Sequence, residues 1–137
     1  MLYYHLPLMK ESLFVRDIIG TILSSLCIVH CVLSAVLLLL GGTGLISATW
    51  HTSEIHLVFF LPVLMVATLS FPHAKRQHGD SQPLIYGVIG LSLLTVSLML
   101  ELIWHLHVLE TILTVIGGGI LIYAHQMNRR LSALQPS

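Results

Sequence analysis

One apolar run, GTILSSLCIVHCVLSAVLLLL at residues 20–40, constrains this chain more than any other feature. The run contains no Asp, Glu, Lys or Arg. A helix needs about 20 consecutive apolar residues to cross the hydrocarbon core of a bilayer, and this run is long enough. The whole chain is 55% hydrophobic and only 9% charged, which excludes an ordinary soluble domain. The sequence therefore predicts an integral membrane protein.

Three more apolar segments follow the first one along the chain. We predict membrane spans at about residues 17–40, 55–71, 84–100 and 109–124, with a break at Gly41-Gly42-Thr43-Gly44 and a polar linker at 72–81. The fold class is then all-α, a polytopic membrane protein with a four-transmembrane-helix bundle at residues 17–125. Residues 1–16 form a cytoplasmic leader with the composition of an interfacial helix, and residues 126–137 form a cytoplasmic tail.

The basic residues predict how the bundle is oriented. All of them lie before the first span, between the second and third spans, or after the fourth: Lys10, Arg16, Lys75, Arg76, Arg129 and Arg130. With four spans these three regions share one face of the membrane. The positive-inside rule places that face, and both termini, in the cytoplasm.

The first span carries both cysteines of the chain, with a histidine between them. Residues three and four apart share one face of a helix, so Cys27, His30 and Cys31 project together near the middle of the span. An ionisable side chain at that depth is costly and indicates a functional site, here a metal site. Two simpler interpretations stay open. The cysteines are small enough to serve only for packing, and His30 can act as an interhelical hydrogen-bond donor.

Other metal-binding side chains lie near the ends of the predicted spans. His56, Glu101 and Glu110 fall toward the outer face, and His125 falls toward the cytoplasmic face with His78. We predict that the outer group collects a soft or borderline metal ion, the thiols bind it, and the inner histidines receive it. Alternatively, these side chains are ordinary solvated residues of helix ends.

Three other functions are compatible with the sequence. A quinone-linked thiol oxidoreductase needs a Cys-x-x-Cys pair near the membrane surface, whereas the spacing here is Cys-x-x-x-Cys. A haem protein needs a second histidine at the depth of His30. An accessory membrane subunit would use the glycines at 87, 90 and 117–119 to pack against a second copy or another subunit. We expect no enzyme activity, no cofactor and, at zero net charge, no nucleic-acid partner; the expected partners are the bilayer and a metal ion.

The sequence resembles the MerC-domain family of small bacterial inner-membrane proteins, which is associated with mercuric-ion uptake. The resemblance covers about residues 12–131 and is clearest at Cys27-Ile-Val-His30-Cys31 in the first of four spans. Further matches are ETILTVIGGG at 110–119, Ala124-His125, Asn128-Arg129-Arg130, His78-Gly79-Asp80 and His56. The resemblance implies that Cys27 and Cys31 are the intramembrane pair that binds mercury.

The chain departs from the family pattern in two places. Resistance-type members have a second, cytoplasmic cysteine pair near the C-terminus, but no cysteine follows Cys31 here. A proline commonly follows the motif, and Ala35 takes its place in this chain. The missing pair leaves zinc or another divalent ion, bound with the help of histidine, as the alternative substrate to mercuric ion.

Overall fold

A computed structural model describes residues 5–40 and 53–134 of the chain. These residues form four helices: α1 (His5–Leu39), α2 (Ser53–His78), α3 (Gln82–Trp104) and α4 (His107–Leu134). No strand occurs in either described range, and all four helices are long and apolar enough to cross a membrane. The predicted four-helix membrane fold is confirmed. The predicted break at 41–44 lies outside the described residues.

The helices extend beyond the apolar runs from which the spans were predicted. The predicted leader continues directly into α1, which begins at His5. Helix α2 passes through Pro62 and Pro72 and ends at His78, so the connection to α3 is confined to residues 79–81. Polar helix formers such as Lys, Arg and Gln prolong a helix after its hydropathy has fallen. Hydropathy therefore marks the part of a helix that lies in lipid rather than the whole helix.

Contacts between the helices show that α1 runs antiparallel to both α2 and α4. Asp17, early in α1, contacts Asn128 and Ser70, which lie late in α4 and late in α2. Cys31, late in α1, contacts Glu110, early in α4. We call the end with the start of α1, the 79–81 turn and the end of α4 the termini end. The opposite end, which includes the 105–106 turn, is the far end.

Helix α4 packs most extensively against α3 and α1, and α2 completes the bundle against α1 and α3. Glycines allow the closest approach: a Cβ atom at Gly117 would lie 3.0 Å from the carbonyl oxygen of Gly90 on α3. The buried apolar core comprises Val63, Ala67, Phe71, Leu94, Leu121 and Ala124. Most other large apolar side chains face outward, as a lipid environment requires.

Candidate functional site

A small cavity lies inside the bundle where α1, α2, α3 and α4 meet. Its volume is about 20 Å³, enough for one particle the size of a water molecule. The lining residues are Cys27, His30, Cys31, His56, Phe59, Phe60, Leu94, Ser97, Leu98, Glu110 and Thr114. Both cysteines thus face the interior of the bundle, together with the histidine of the same motif.

Three of the lining side chains form a compact donor cluster. One ligand atom from each of Cys31, His56 and Glu110 lies within 4.8 Å of the others. The thiol of Cys31 donates a hydrogen bond to Oε1 of Glu110 at 3.5 Å. All three side chains are buried, with exposed fractions of 3% for Cys31, 9% for His56 and 5% for Glu110. Helices α1, α2 and α4 therefore each contribute one sulfur, nitrogen or oxygen donor to a single point.

Cys27 and His30 lie on the same face of α1 and flank this cluster. Cys27 is half-buried, and its thiol lines the cavity one helical turn before Cys31. The His30 ring packs edge-on against the His56 ring, with centroids 5.7 Å apart, and beside the Phe59 ring at 5.0 Å. The motif of the first span and the histidine that begins the second thus form one site.

Hydrogen bonds from neighbouring hydroxyl groups orient Glu110. Thr114 donates to Oε1 of Glu110 at 3.2 Å, and the Thr114 hydroxyl is itself 2.9 Å from the Ser97 hydroxyl on α3. Such a chain of polar contacts fixes the direction of a buried carboxylate, as outer partners do for metal ligands in general. Helix α3 therefore supports the site although it supplies no donor to the cluster.

The position of the cluster along the bundle differs from the predicted arrangement of separate middle and outer groups. In the first spanning segment, Phe14–Leu37, Cys27 lies close to the middle and Cys31 lies one turn nearer the far end. His56 and Glu110 each fall in the first turn of their own spanning segments. Because these side chains point inward from the far end, they reach the thiol of Cys31.

A second buried polar cluster lies at the termini end. Asp17 is its centre: Ser70 donates to Oδ1 at 2.6 Å, Asn128 donates to Oδ2 at 2.7 Å, and His125 Nδ1 lies 2.9 Å from Oδ1. Asp17 and His125 are exposed by no more than 1%. This cluster joins the candidate spanning segments of α1, α2 and α4.

Of the seven predicted metal ligands, five line the cavity: Cys27, His30, Cys31, His56 and Glu110. The other two lie elsewhere. Glu101 is buried and pairs with His107, whose Nδ1 lies 3.0 Å from Oε2. His125 contacts Asp17 in the second cluster. The side chain of His78 lies outside the described residues.

Asp17 and Thr114 belong to the two buried polar clusters, but neither is among the site residues that we predict from the sequence. Asp17 begins the apolar run, and it is spaced by three, four, three and four residues through Gly20, Ser24, Cys27 and Cys31. That spacing puts it on the inner face of α1 and is a usable signal. No comparable pattern marks Thr114.

The imidazole of His125 requires a glycine on α1. A Cβ atom added at Gly20 would overlap the His125 ring, which also packs against Phe71 with centroids 4.6 Å apart. We expect Gly20→Ala to displace the ring and destabilise the bundle by about 1–3 kcal/mol, the usual cost of overpacking. Thermal unfolding in detergent micelles measures the effect. Gly119→Ala is the control because no atom lies within 4 Å of its added Cβ, and an equal loss there would contradict the explanation.

The donors of the cavity suit a metal ion chemically. Thiolates favour soft ions such as mercuric ion, whereas imidazole and carboxylate suit zinc and similar divalent ions. Nε2 of His56 is buried and has no hydrogen-bond partner among the described residues, so no described residue uses this potential metal-ligand atom. Buried polar atoms are normally paired, and a ligand that binds this nitrogen would satisfy it.

Comparison with known families gives a match over most of the chain. The sequence model of the MerC family, described as MerC mercury resistance protein, matches residues 17–130. No curated protein and no solved structure matches significantly. The matched range contains every donor of the cavity and most of each helix. The chain is therefore a four-helix membrane protein that belongs to the MerC mercury resistance family.

Proposed function

We propose that this protein takes up a heavy-metal ion, mercuric ion at the level of the family, across the cytoplasmic membrane of a bacterium. The proposal rests on the buried cluster of Cys31, His56 and Glu110, with Cys27 in the same cavity. Mercuric ion is soft and binds thiolate strongly, so the two cysteines of α1 are its ligands. The positive-inside rule puts the termini end in the cytoplasm and the far end outside.

Binding requires that each thiol lose its proton, because the thiolate is the ligand. Glu110 accepts the hydrogen bond of the Cys31 thiol at 3.5 Å, so its carboxylate is placed to receive that proton. Glu110 also lies toward the far end, from which the ion arrives. The Glu110 carboxylate can therefore both attract the cation and accept the thiol proton of Cys31, which must leave before the sulfur binds metal.

Zinc or another borderline divalent ion is the second candidate substrate. The observation that favours it is the mixture of donors: His56 and Glu110 supply nitrogen and oxygen beside sulfur. Zinc prefers four ligands of this mixed kind, and Cys27 or His30 can supply the fourth from the same cavity. Mercuric ion needs only the two thiols.

Uptake of metal into proteoliposomes tests the proposal directly. Purified protein is reconstituted, mercuric ion or zinc is added outside in chloride-free buffer, and the metal inside is measured against protein-free vesicles. We expect uptake by the wild type and none above background for the Cys27→Ser/Cys31→Ser double variant, because a serine hydroxyl is a poor ligand for a soft ion.

Ser25→Ala is the matched control for this experiment. Ser25 lies between the cluster at the termini end and the cysteines, and its hydroxyl donates to the carbonyl of Thr21 on its own helix. We expect wild-type uptake from this variant. Undiminished uptake by the double cysteine variant would remove the cysteines from the transport path, and background uptake by the wild type would refute transport by the protein alone.

A further inference from the structure

The cluster around Asp17 has no part in metal binding as described above, yet it places an aspartate and a histidine completely inside the bundle. Their exposed fractions are 1% for Asp17 and 0% for His125. Ionisable groups inside a membrane are costly, and carboxylate–imidazole pairs there commonly carry protons. Nδ1 of His125 contacts Asp17, but Nε2 is buried without a hydrogen-bond partner among the described residues.

A buried polar side chain of α1 lies between this pair and the thiols. Asp17, Ser24 and Cys27 follow one another on the inner face of α1, and Cys27 lies about 15 Å from Asp17 along the helix axis. Ser24 is fully buried, and its hydroxyl oxygen has no hydrogen-bond partner among the described residues. His125 Nε2 lies against Gly20, so it and Ser24 Oγ are two buried polar atoms, each without a hydrogen-bond partner among the described residues, at levels of α1 between Asp17 and Cys27.

We propose that Asp17 and His125 form a proton-binding site that returns protons from the termini end to the thiols, so that metal uptake is an exchange for protons. This inference rests on the proposed function. The imidazole of His125 carries the proton at Nε2, and the Asp17 carboxylate orients the ring through its contact with Nδ1. Ser24 relays the proton toward Cys27.

The exchange balances in atoms and charge. A divalent ion arriving from the far end displaces one proton from each cysteine thiol, and these protons leave toward the far end. Protons from the termini end then reach each thiolate through His125, and the sulfur–metal bonds break as the sulfur–hydrogen bonds form. One divalent ion crosses in one direction and two protons cross in the other, so no net charge moves. The low dielectric of the membrane interior favours such a neutral exchange.

Other titratable groups lie at the same end of the bundle as the pair. Among the side chains that the structure describes, those at the same end of the bundle are Arg16 on α1, His73, Lys75 and Arg76 on α2, Asp80 in the turn, Tyr86 on α3, and Tyr123, Arg129 and Arg130 on α4. All of these are partly or fully exposed. Among the imidazoles described at this end of the bundle, that of His125 is fully buried. A proton that enters here and continues inward is therefore carried by His125.

Proteoliposomes that contain a pH-sensitive dye test the exchange. Mercuric ion, with zinc in a parallel series, is added outside while internal pH and internal metal are recorded together. We expect wild-type vesicles to become alkaline inside as metal enters, whichever way the protein is inserted. An interior one pH unit more acidic than the medium should support up to about 100-fold accumulation, since two protons exchange for each ion.

His125→Gln separates proton transfer from structure. Its amide can still hydrogen-bond to Asp17, but it cannot carry a proton, so we expect loss of both the internal pH change and the effect of the gradient. Asp17→Asn is the second variant, and both are checked for wild-type melting and for binding of mercuric ion in detergent. Ser132→Ala is the control, because Ser132 is a buried polar residue on the same helix without a role in the relay.

A second measurement applies even if vesicles show no uptake. Detergent-solubilised protein is loaded with mercuric ion, and its release to a dithiol chelator is timed at several pH values. We expect acid to speed release from the wild type at least tenfold more than from His125→Gln. Wild-type uptake without internal alkalinisation, or equal acid dependence in the two proteins, would overturn the exchange. Absence of uptake in the wild type would instead refute the proposed function.

Discussion

Glu110→Gln is expected to lower the affinity of the protein for zinc by ~100-fold or more while leaving mercuric ion bound by the two thiols. The variant removes an anionic oxygen from the cluster with Cys31 and His56 but keeps the side-chain volume. Zinc needs this ligand to approach four-coordination, whereas mercuric ion is satisfied by two sulfur atoms. Competition titrations with chelators of known affinity, carried out in detergent, measure both ions on one preparation.

Glu101→Gln is the matched control for this prediction. Glu101 is also a buried carboxylate of the far end, on the neighbouring helix α3, but it pairs with His107 and contributes no atom to the cluster. We expect both metals to bind this variant as they bind the wild type. If Glu110→Gln lowers the affinity for zinc and for mercuric ion equally, the carboxylate acts on the thiols rather than as a zinc ligand. If the affinity for zinc is unchanged, Glu110 is not a ligand.

The outcome identifies the substrate for which the cavity is built. If zinc affinity depends on Glu110 and His56 and lies in a useful range, the mixed donor set serves a borderline ion. If only mercuric ion binds tightly, the imidazole and carboxylate assist deprotonation of the thiols and attraction of the cation.

The fold follows from the sequence because each part of it depends on local composition. The number of helices follows from four apolar runs, which polar or glycine residues separate from one another. This count needs no knowledge of how the helices pack. The ends of the helices do not follow in the same way. Lys75 and Arg76 are polar but favour helix, so α2 continues beyond the point at which its hydropathy falls.

Local sequence patterns predict only part of the site. Cys27, His30 and Cys31 share a face because of helical periodicity, and that is visible in one segment. The contacts of Cys31 with Glu110 and His56 depend on how far each helix is shifted along its neighbours, which periodicity does not determine. The same holds for His125: its partner Asp17 lies on another helix, 108 residues away in sequence.

Gly117→Val is expected to separate α3 from α4 and to give the largest loss of stability among the glycine variants. A Cβ atom at Gly117 would lie 3.0 Å from the Gly90 oxygen and 3.3 Å from the Leu94 nitrogen. Both atoms belong to the α3 backbone, so they cannot rotate aside as a side chain does. We expect a cost at or above the roughly 1–3 kcal/mol usual for overpacking, seen as a lower midpoint of thermal unfolding in detergent.

Gly119→Val separates this packing effect from the change in helix propensity. Both substitutions put the same β-branched residue into the same helix, so their propensity terms are alike, but nothing lies within 4 Å of a Cβ at Gly119. We expect Gly119→Val to unfold at or above the wild-type midpoint. The separation of α3 from α4 would also remove Ser97 from Thr114, and with it the chain of hydrogen bonds that holds Glu110. Metal affinity should therefore fall together with stability in Gly117→Val, and a variant that loses neither would show that the two helices do not meet at this glycine.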